Sequence, residues 1–307
     1  MKSRRSGLVG LVTGAISAAP VSGEPMGVPD LLIVQAIQQR LAGSGLTLPI
    51  ADTGGEAERI PALLATLRRH RVEGVLLVAP HRQPAHLPEP RGAVPTVLVD
   101  CFDAHGTPAV LPDDEAGQHA ITARVLAEGH ARVGFLPISP ARTASPLRMR
   151  GYRRALAGAG VTYDDALVIP VDLPGSAGEH QLIYDALERL FALSDPPTAI
   201  LCGNDRLAVA VFGLLRERGL SIPDDVSVAG CDDHRIIAET LWPALATVEL
   251  PYAAMGVRAA DLLLGLIAGT GAPPAEPIHV RGAVRMRPSL APLAEPNVVS
   301  FQGRKSE

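Results

Sequence analysis

The stretch from Thr198 to Asp233, TAILCGNDRLAVAVFGLLRERGLSIPDDVSVAGCDD, is the part of the sequence that most strongly indicates the fold. It begins with a short apolar run, Thr198 to Cys202, which is typical of a strand buried on both faces. Leu207 to Arg218 then has apolar residues at helical spacing and ends at Gly219, a usual helix C-cap. A second apolar run, Val226 to Ala229, follows after a turn. The stretch therefore predicts one β-α-β unit.

Polar residues follow both predicted strands. Asn204 and Asp205 come after the first strand, and Asp232 and Asp233 come after the second. In an open parallel sheet, ligands bind beside the carboxyl ends of the strands. These four residues are therefore candidates for a ligand site. The alternative is that they cap helices and make turns, as Asn and Asp commonly do.

The rest of the chain repeats the alternation of strand and helix, which indicates an α/β protein with parallel sheets flanked by helices. Two sheets are needed to hold about ten strands, so we predict two lobes. Residues 81–92 are predicted to form a Pro-rich loop and residues 291–307 a polar tail. The further predicted strands are 7–12, 46–51, 72–79, 94–99, 109–111, 132–136, 167–171, 245–250 and 278–286.

Composition argues against several classes of protein. The chain has 307 residues, of which 47% are hydrophobic and 20% charged, enough for about two domains with sizeable cores. A net charge of -4 and an aromatic content of 3% argue against a surface that binds nucleic acid. The three cysteines, Cys101, Cys202 and Cys231, fit a reducing cytoplasm better than a disulfide framework.

The N-terminus admits two interpretations. A basic start at residues 2–5 precedes the apolar stretch 7–17, as in a secretory signal. The same stretch fits a first buried strand, Gly7 to Val12. We favour the strand, because Gly10 and Gly14 interrupt the apolar run and its removal would leave the next helix without a preceding strand. No segment reaches the roughly 18 apolar residues needed to span a membrane.

Several motifs resemble the effector-binding core of LacI/GalR-type bacterial transcription regulators. The family pattern P-x-A-x-x-C/A-x-N-D-x-x-A stands here from Pro197 to Ala208, and G-x-x-x-P-x-D-V-S-V-x-G-x-D-D stands from Gly219 to Asp233. Their order and spacing extend the resemblance over nearly the whole chain. The other matching segments are Val72 to Leu77, Pro95 to Asp100, Gly129 to Phe135, Arg148 to Leu156, Thr247 to Gly256 and Arg287 to Ser289.

The resemblance implies a periplasmic-binding-protein-like fold of type I, with two lobes that each hold a parallel sheet flanked by helices. It also implies that the late elements cross back, so that the helix near 253–267 joins the first lobe and the last strand joins the second. The expected N-terminal lobe comprises residues 5–110 and 247–274, and the expected C-terminal lobe comprises 111–246 and 275–290.

The same resemblance implies partners. Family members form homodimers, and we expect helices such as 30–42 and 207–218 to form the dimer face, unless they simply pack on the sheet. Family members also grip operator DNA through an N-terminal helix-turn-helix headpiece and hinge helix, roughly sixty residues in length. Only Met1 precedes the basic start here, so we expect a core that contacts operator DNA only through an absent headpiece.

The resemblance further implies which residues contact the effector. Arg148 offers a planar fork of donors suited to vicinal hydroxyls, a carboxylate or a phosphate. Asn204 and Asp232 could bind sugar hydroxyls or a purine edge. Asp100 ends a first-lobe strand, and Tyr252 stands where the family usually has an aromatic that stacks on the ligand. The alternatives are a surface helix charge for the arginine, caps or turns for the Asn and Asp residues, and core packing for the tyrosine.

Two departures from the family pattern concern the ligand. The family often has Gln two residues before the aromatic, where this chain has Leu250. Its first-lobe loop usually reads Asp-x-x-x-Pro-Phe-Phe, whereas the stretch from Thr13 to Pro29 is longer and has no aromatic residue. We therefore expect a smaller or less aromatic pocket.

Other functions have little support. The three cysteines each stand beside a candidate residue and could bind a soft metal, but buried free cysteines are common and Cys101 should lie in a different lobe. The chain has no G-x-S-x-G elbow, phosphate loop, H-E-x-x-H motif or G-x-G-x-x-G after the first strand. We predict no metal, no cofactor and no enzyme activity.

The sequence therefore predicts a cytoplasmic, homodimeric regulator core that senses a small polar metabolite, a sugar or sugar derivative, in the cleft between its lobes. The alternative is a solute-binding protein of a transport system, which would share the fold and differ in its cellular location.

Overall fold

The computed structural model of the protein describes residues 5–14, 28–88, 94–171 and 178–293. Most of the unusual stretch from Thr13 to Pro29 and most of the predicted tail lie outside the described residues. The first part of the chain forms β1 (Val9–Thr13), α1 (Val28–Leu41), β2 (Ile50–Asp52), α2 (Ile60–Arg69), β3 (Gly74–Pro84), β4 (Thr96–Phe102) and β5 (Ala109–Pro112).

The second part of the chain continues the alternation and ends with elements that return to both sheets. It forms α3 (Asp114–Ala127), β6 (Val133–Leu136), α4 (Ala144–Gly158), α5 (Glu179–Phe191), β7 (Ala199–Cys202), α6 (Asp205–Glu217), β8 (Ser227–Asp232), α7 (Arg235–Ala238), β9 (Ala246–Glu249), α8 (Tyr252–Ala268), β10 (Ile278–Val280) and β11 (Val284–Arg285).

These strands build two sheets. The first has the order β10-β5-β4-β3-β1-β2, and all of its pairs are parallel. The second has the order β11-β9-β8-β7-β6, in which only β11 runs antiparallel to its neighbour. The predicted α/β class with two parallel sheets flanked by helices is therefore confirmed.

Buried apolar side chains cover both faces of each sheet, as expected for parallel strands with crossover helices. In the first lobe, α1 and α8 pack together over one face, and α2 covers the other. The packing of α2 is close: a Cβ added at Gly10 of β1 would lie 2.7 Å from a methyl carbon of Leu67. The expected β-α unit at the N-terminus thus has its strand inside the first sheet, between β3 and β2.

Three sequence predictions about strands were wrong in part. Residues 81–84 continue β3 instead of forming a loop, because after an irregularity Gln83 pairs with Cys101 and Pro84 with Phe102 of β4. Residues 230–232 belong to β8, because β9 pairs with them. Residues 167–171 make only isolated bridges, through Val168 and Val171.

The predicted last strand, 278–286, is divided between the lobes. Its first half is β10, which pairs with β5 of the first sheet, and its second half is β11, which pairs with β9 of the second. The expectation that the whole strand joins the second lobe was therefore wrong. Gly282 permits the crossing, because a Cβ there would lie 1.7 Å from the carbonyl oxygen of Glu249.

The chain therefore passes between the sheets three times, after β5, after β9 and after β10. Since β9 belongs to the second sheet, residues 247–249 do not lie in the first lobe as the expected boundaries had it. Among the described residues, no helix has the length and apolar character that crossing a lipid bilayer requires.

Candidate functional site

Arg148 lies on α4 with its side chain almost wholly buried, at a side-chain exposure of 6%. Its Nε donates to Asp114 Oδ1 at 3.1 Å, and its Nη1 donates to the carbonyl oxygen of Gly203 at 2.6 Å. Its Nη2 lies 4.0 Å from Asp232 Oδ1. The guanidinium is therefore held rigidly at the carboxyl ends of β7 and β8, and it is not the surface helix charge of the alternative interpretation.

The charge of Arg148 is secured by its surroundings. Burial alone opposes the charged form, but Cys231 and the carboxylates of Asp114 and Asp232 raise the pKa of the guanidinium above its ordinary value. The site therefore contains a fixed positive group with planar, directed donors.

Asp232 is the last residue of β8, and its protonation state is shifted. Burial raises the pKa of its carboxyl to about 8, with Asp205 and Asp114 adding to the effect and Arg148 opposing it. Near neutral pH this side chain is therefore mostly protonated, so it can donate as well as accept a hydrogen bond. Its backbone has a φ of 135°, in the region that favours glycine.

Two residues of the first lobe, Tyr252 and Asp100, were also predicted to contact the ligand. Tyr252 begins α8, and burial raises the pKa of its phenol well above the usual value, with the negative charges of Asp232 and Asp100 raising it further. Asp100 is a buried residue of β4 with a φ of 56°. The structure thus brings Tyr252 within electrostatic range of Asp100 in its own lobe and of Arg148 and Asp232 in the other.

Asn204 has a structural role in this arrangement. Its side-chain oxygen accepts a hydrogen bond from the backbone N–H of Leu207 at 2.7 Å, so it is the N-cap of α6. Its side-chain oxygen is therefore used as a helix cap, as the alternative interpretation of this residue predicted.

Asp205 and Asp233, which the sequence also singled out, hold the strand ends together. Asp205 is fully buried; its Oδ1 accepts from Thr247 Oγ1 at 2.7 Å and its Oδ2 accepts from the backbone N–H of His234 at 2.8 Å. Asp233 accepts from Arg287 Nη2 at 2.7 Å. These contacts hold the carboxyl ends of β7, β8 and β9 in place beside the candidate site.

Sequence reasoning missed Asp114. Its neighbour Asp113 is a helix cap, because its Oδ1 accepts from the N–H of Ala116 at the start of α3. Asp114 instead is buried and binds both Arg148 and Arg82. A buried arginine needs a carboxylate partner, and that requirement was the available signal.

The end of β3 joins the two lobes directly. Arg82 Nη1 donates to the carbonyl oxygen of Pro112 at 3.1 Å and lies 3.4 Å from Asp114 Oδ2. Thr143 Oγ1 donates to the carbonyl oxygen of Arg82, and His81 Nε2 accepts from Arg142 Nη1 at 2.9 Å. Burial, with Arg142 adding to it, lowers the pKa of His81 to about 4, so the imidazole is neutral and can accept.

The cysteines do not converge on this site as a metal centre. All three are buried, and burial raises the pKa of the Cys202 and Cys231 thiols above the usual value. Cys101 Sγ lies 3.6 Å from the carbonyl oxygen of Leu77, inside the first lobe. Within the described ranges, no group of three or more His, Cys, Asp or Glu side chains is arranged to hold a metal ion.

Comparison with known proteins identifies the family. Residues 122–290 match the family of the periplasmic binding protein-like domain. The crystal structure of a protein described as a LacI-family transcriptional regulator, from Rhizobium etli, is 31% identical and superposes with a TM-score of 0.81 over 94% of this chain and 100% of that one. This chain belongs to the LacI family, with a periplasmic binding protein-like domain as its core.

Two other regulators are similar over most of the chain. The ribose operon repressor of Escherichia coli (strain K12) is 28% identical over 235 residues, which cover 76% of this chain and 69% of that protein. The structure of a transcriptional regulator CelR–cellobiose complex is 27% identical, with a TM-score of 0.70 over 93% of this chain and 85% of that one. The family assignment makes this chain a transcriptional regulator with an effector-binding domain.

Proposed function

We propose that this regulator senses a sugar or sugar derivative that binds in the cleft between its lobes. The observation that carries the proposal is the buried Arg148 beside Asp232 in the second lobe, opposite Asp100 and Tyr252 of the first. We infer that donors and acceptors from both lobes contact one ligand, which suits a molecule that carries several hydroxyl groups.

The chemistry of these side chains favours a sugar over a purely ionic ligand. The charge of Arg148 is balanced by Asp114, so a neutral ligand can occupy the remaining donors without adding an unpaired buried charge. A largely protonated Asp232 and a neutral Tyr252 can each donate to, or accept from, a hydroxyl. Two similar proteins have names that include ribose and cellobiose, which supports this ligand class.

Backbone strain also supports a binding role for the two aspartates. Asp100 and Asp232 both have positive φ, one in each lobe. Non-glycine residues adopt this conformation at a cost of about 1–3 kcal/mol, and such residues cluster at binding sites. We infer that the conformation directs each carboxyl group into the cleft.

The proposed mechanism is a shift between two lobe arrangements. A ligand that contacts both lobes binds the closed arrangement more tightly and increases its population. Opening would break the contacts of His81 with Arg142 and of Arg82 with Thr143, which span the cleft here. The ligand therefore acts on the same contacts that hold the lobes together.

We propose further that the protein acts in the cytoplasm as a homodimer and reaches operator DNA through an N-terminal headpiece of the family type. Exposed apolar side chains on both predicted dimer helices support the dimer: Leu31 and Leu32 on α1, and Val209 on α6. Ile236 and Trp242, after β8, are also exposed, at 72% and 83%. A second copy that covers these side chains would remove them from water.

A thermal-shift panel of sugars, sugar phosphates, polyols and nucleobases tests the ligand proposal. A true ligand increases the free energy of unfolding by RT ln(1 + [L]/Kd) and therefore raises Tm. We expect a hit among the sugars, with the shift lost in Asp232→Ala and Arg148→Ala and kept in Asp224→Ala, a change to an exposed turn residue. A hit confined to nucleobases, or a sugar shift that persists in both site variants, would contradict the proposal.

A further inference from the structure

A cavity of about 350 Å³ lies between the lobes, outside the candidate effector site. We call it the seam pocket and define it by Arg82, Arg150, Arg154, His279 and Arg281, together with the first turn of α3. Its size is typical of pockets that hold small molecules.

The seam pocket and the effector cleft lie on different faces of α4. Leu147, Arg150 and Arg154 follow helical spacing and line the seam pocket, whereas Arg148 is turned about a quarter of the helix circumference or more from them. Asp114 stands between the two spaces, with Oδ1 bonded to Arg148 and Oδ2 near Arg82.

Positive charge exceeds negative charge in the seam pocket. Its arginines number four, whereas the carboxylates that line it number three, those of Asp113, Asp114 and Glu115. Glu115 is shared, because it binds Arg150 Nε at 2.9 Å and Arg154 Nη1 at 2.7 Å.

The remaining two carboxylates do not remove this excess. Asp114 is bonded to Arg148 of the neighbouring site, so its charge does not neutralise Arg82 alone. Asp113 binds Arg281 Nε at 3.2 Å through Oδ2 while its Oδ1 caps α3.

The three exposed arginines of the seam pocket can exchange their carboxylate partners for another anion. The side chains of Arg150, Arg154 and Arg281 are 58%, 53% and 81% exposed. Ion pairs at such exposure contribute little to stability, so a stronger anion can replace them at small cost. Arginine is well suited to this exchange, because its fork of donors binds phosphate and carboxylate oxygens in a bidentate manner.

We propose that the seam pocket is a second ligand site, which binds a doubly charged oxyanion such as a phosphate group. Arg150, Arg154 and Arg281 bind the anion at the mouth, and Arg82 forms the inner wall. The positive end of the α3 dipole adds to the attraction. This site does not depend on which compound occupies the effector cleft.

Calorimetric titration with inorganic phosphate, at constant ionic strength, tests the proposal on the full chain. We expect one phosphate to bind per chain and the affinity to fall at least about tenfold in Arg154→Gln and in Arg281→Gln. Arg153→Gln is the matched control, because Arg153 is on the same helix, is exposed and stacks on Tyr163 outside the pocket. Succinate serves as the dicarboxylate probe and shows whether the anion must be a phosphate.

A second control tests the effect of net charge alone. Arg189→Gln removes one positive charge at an exposed position of α5, outside the pocket, and should leave phosphate affinity within about twofold of the unsubstituted protein. The proposal is overturned by three results: no phosphate binding, an affinity in Arg154→Gln and Arg281→Gln equal to that of the unsubstituted protein, or an equal loss in Arg189→Gln.

Discussion

At the scale of single residues, Arg148 combines a structural and a binding role. Its guanidinium is the partner of a buried carboxylate, Asp114, and its remaining donors lie beside Asp232. The family motif in the sequence predicted Arg148 as an effector contact, which stays a prediction, and the structure shows the side chain to be buried. The need of a buried arginine for a carboxylate partner did not by itself single out Asp114, because a pair of aspartates before a helix also satisfies the requirements of an N-cap.

Arg148→Ala should lower the free energy of unfolding by about 3–5 kcal/mol, because it leaves the buried carboxylate of Asp114 without its closest arginine. Arg189→Ala, at an exposed position of α5, should change it by less than about 0.5 kcal/mol. Urea unfolding at neutral pH measures both. Equal effects of the two substitutions would refute the structural role of Arg148.

The raised pKa of Asp232 predicts a pH dependence of stability. A folded-state pKa of about 8, against about 3.9 in the unfolded chain, means that the folded state holds the proton more tightly. The stability that the protonated Asp232 contributes is therefore fully present below about pH 4 and is lost as the pH rises through about 8.

Asp232→Asn mimics the protonated carboxyl and should remove this dependence. At pH 9 the variant should be more stable than the unsubstituted protein by more than about 1 kcal/mol, since one pKa unit corresponds to about 1.4 kcal/mol. Urea unfolding from pH 5 to 9 measures the difference, with Asp224→Asn as the exposed control. Parallel pH profiles for the unsubstituted protein and Asp232→Asn would show that the carboxyl is ionised throughout.

At the scale of elements, the α3–α4 pair supports the site. α3 provides Asp114 and α4 provides Arg148, so the ion pair requires close approach of the two helices. Gly151 permits that approach: a Cβ there would lie 2.3 Å from the carbonyl oxygen of Glu115. The contact between the two helices could not be predicted from the sequence, because it depends on tertiary packing, which periodicity does not specify.

Gly151→Ala should therefore destabilise the protein by about 1–3 kcal/mol through overpacking. Gly158→Ala is a matched control on the same helix, because no atom lies within 4 Å of its added Cβ, and it should stabilise the protein by about 0.5–1 kcal/mol. Unfolding of both variants in guanidinium chloride measures these two changes in stability, which should have opposite signs. A neutral Gly151→Ala would mean that the helices are not in close contact.

At the scale of the whole molecule, the order of buried strands and the family motifs together predicted the two-lobe fold. The division of 278–286 between the sheets was not predictable, because a run with strand-like residues does not reveal which sheet edge it joins. Gly282 marks the crossing, but one glycine in a strand pattern also fits a bulge. The proximity of Tyr252 to Arg148 and Asp232 was likewise not predictable from periodicity, because it depends on how the two lobes are oriented.

The proposed homodimer makes a prediction at this scale. Leu31→Glu and Val209→Glu place charges on exposed apolar positions of α1 and α6, and each should shift the protein towards the monomer in sedimentation velocity. Leu182→Glu, at a 46% exposed position of α5, is the control and should leave the dimer intact. A monomer in the unsubstituted protein, or a dimer in all three variants, would contradict this dimer face.

The measurement that tests the central claim most directly is a crystal structure of the protein with the strongest sugar from the thermal-shift panel. We expect the sugar to contact Arg148 and Asp232 from the second lobe, and Asp100 or Tyr252 from the first. A sugar bound to one lobe only, or bound away from Arg148, would contradict the claim that the effector bridges the lobes at this site.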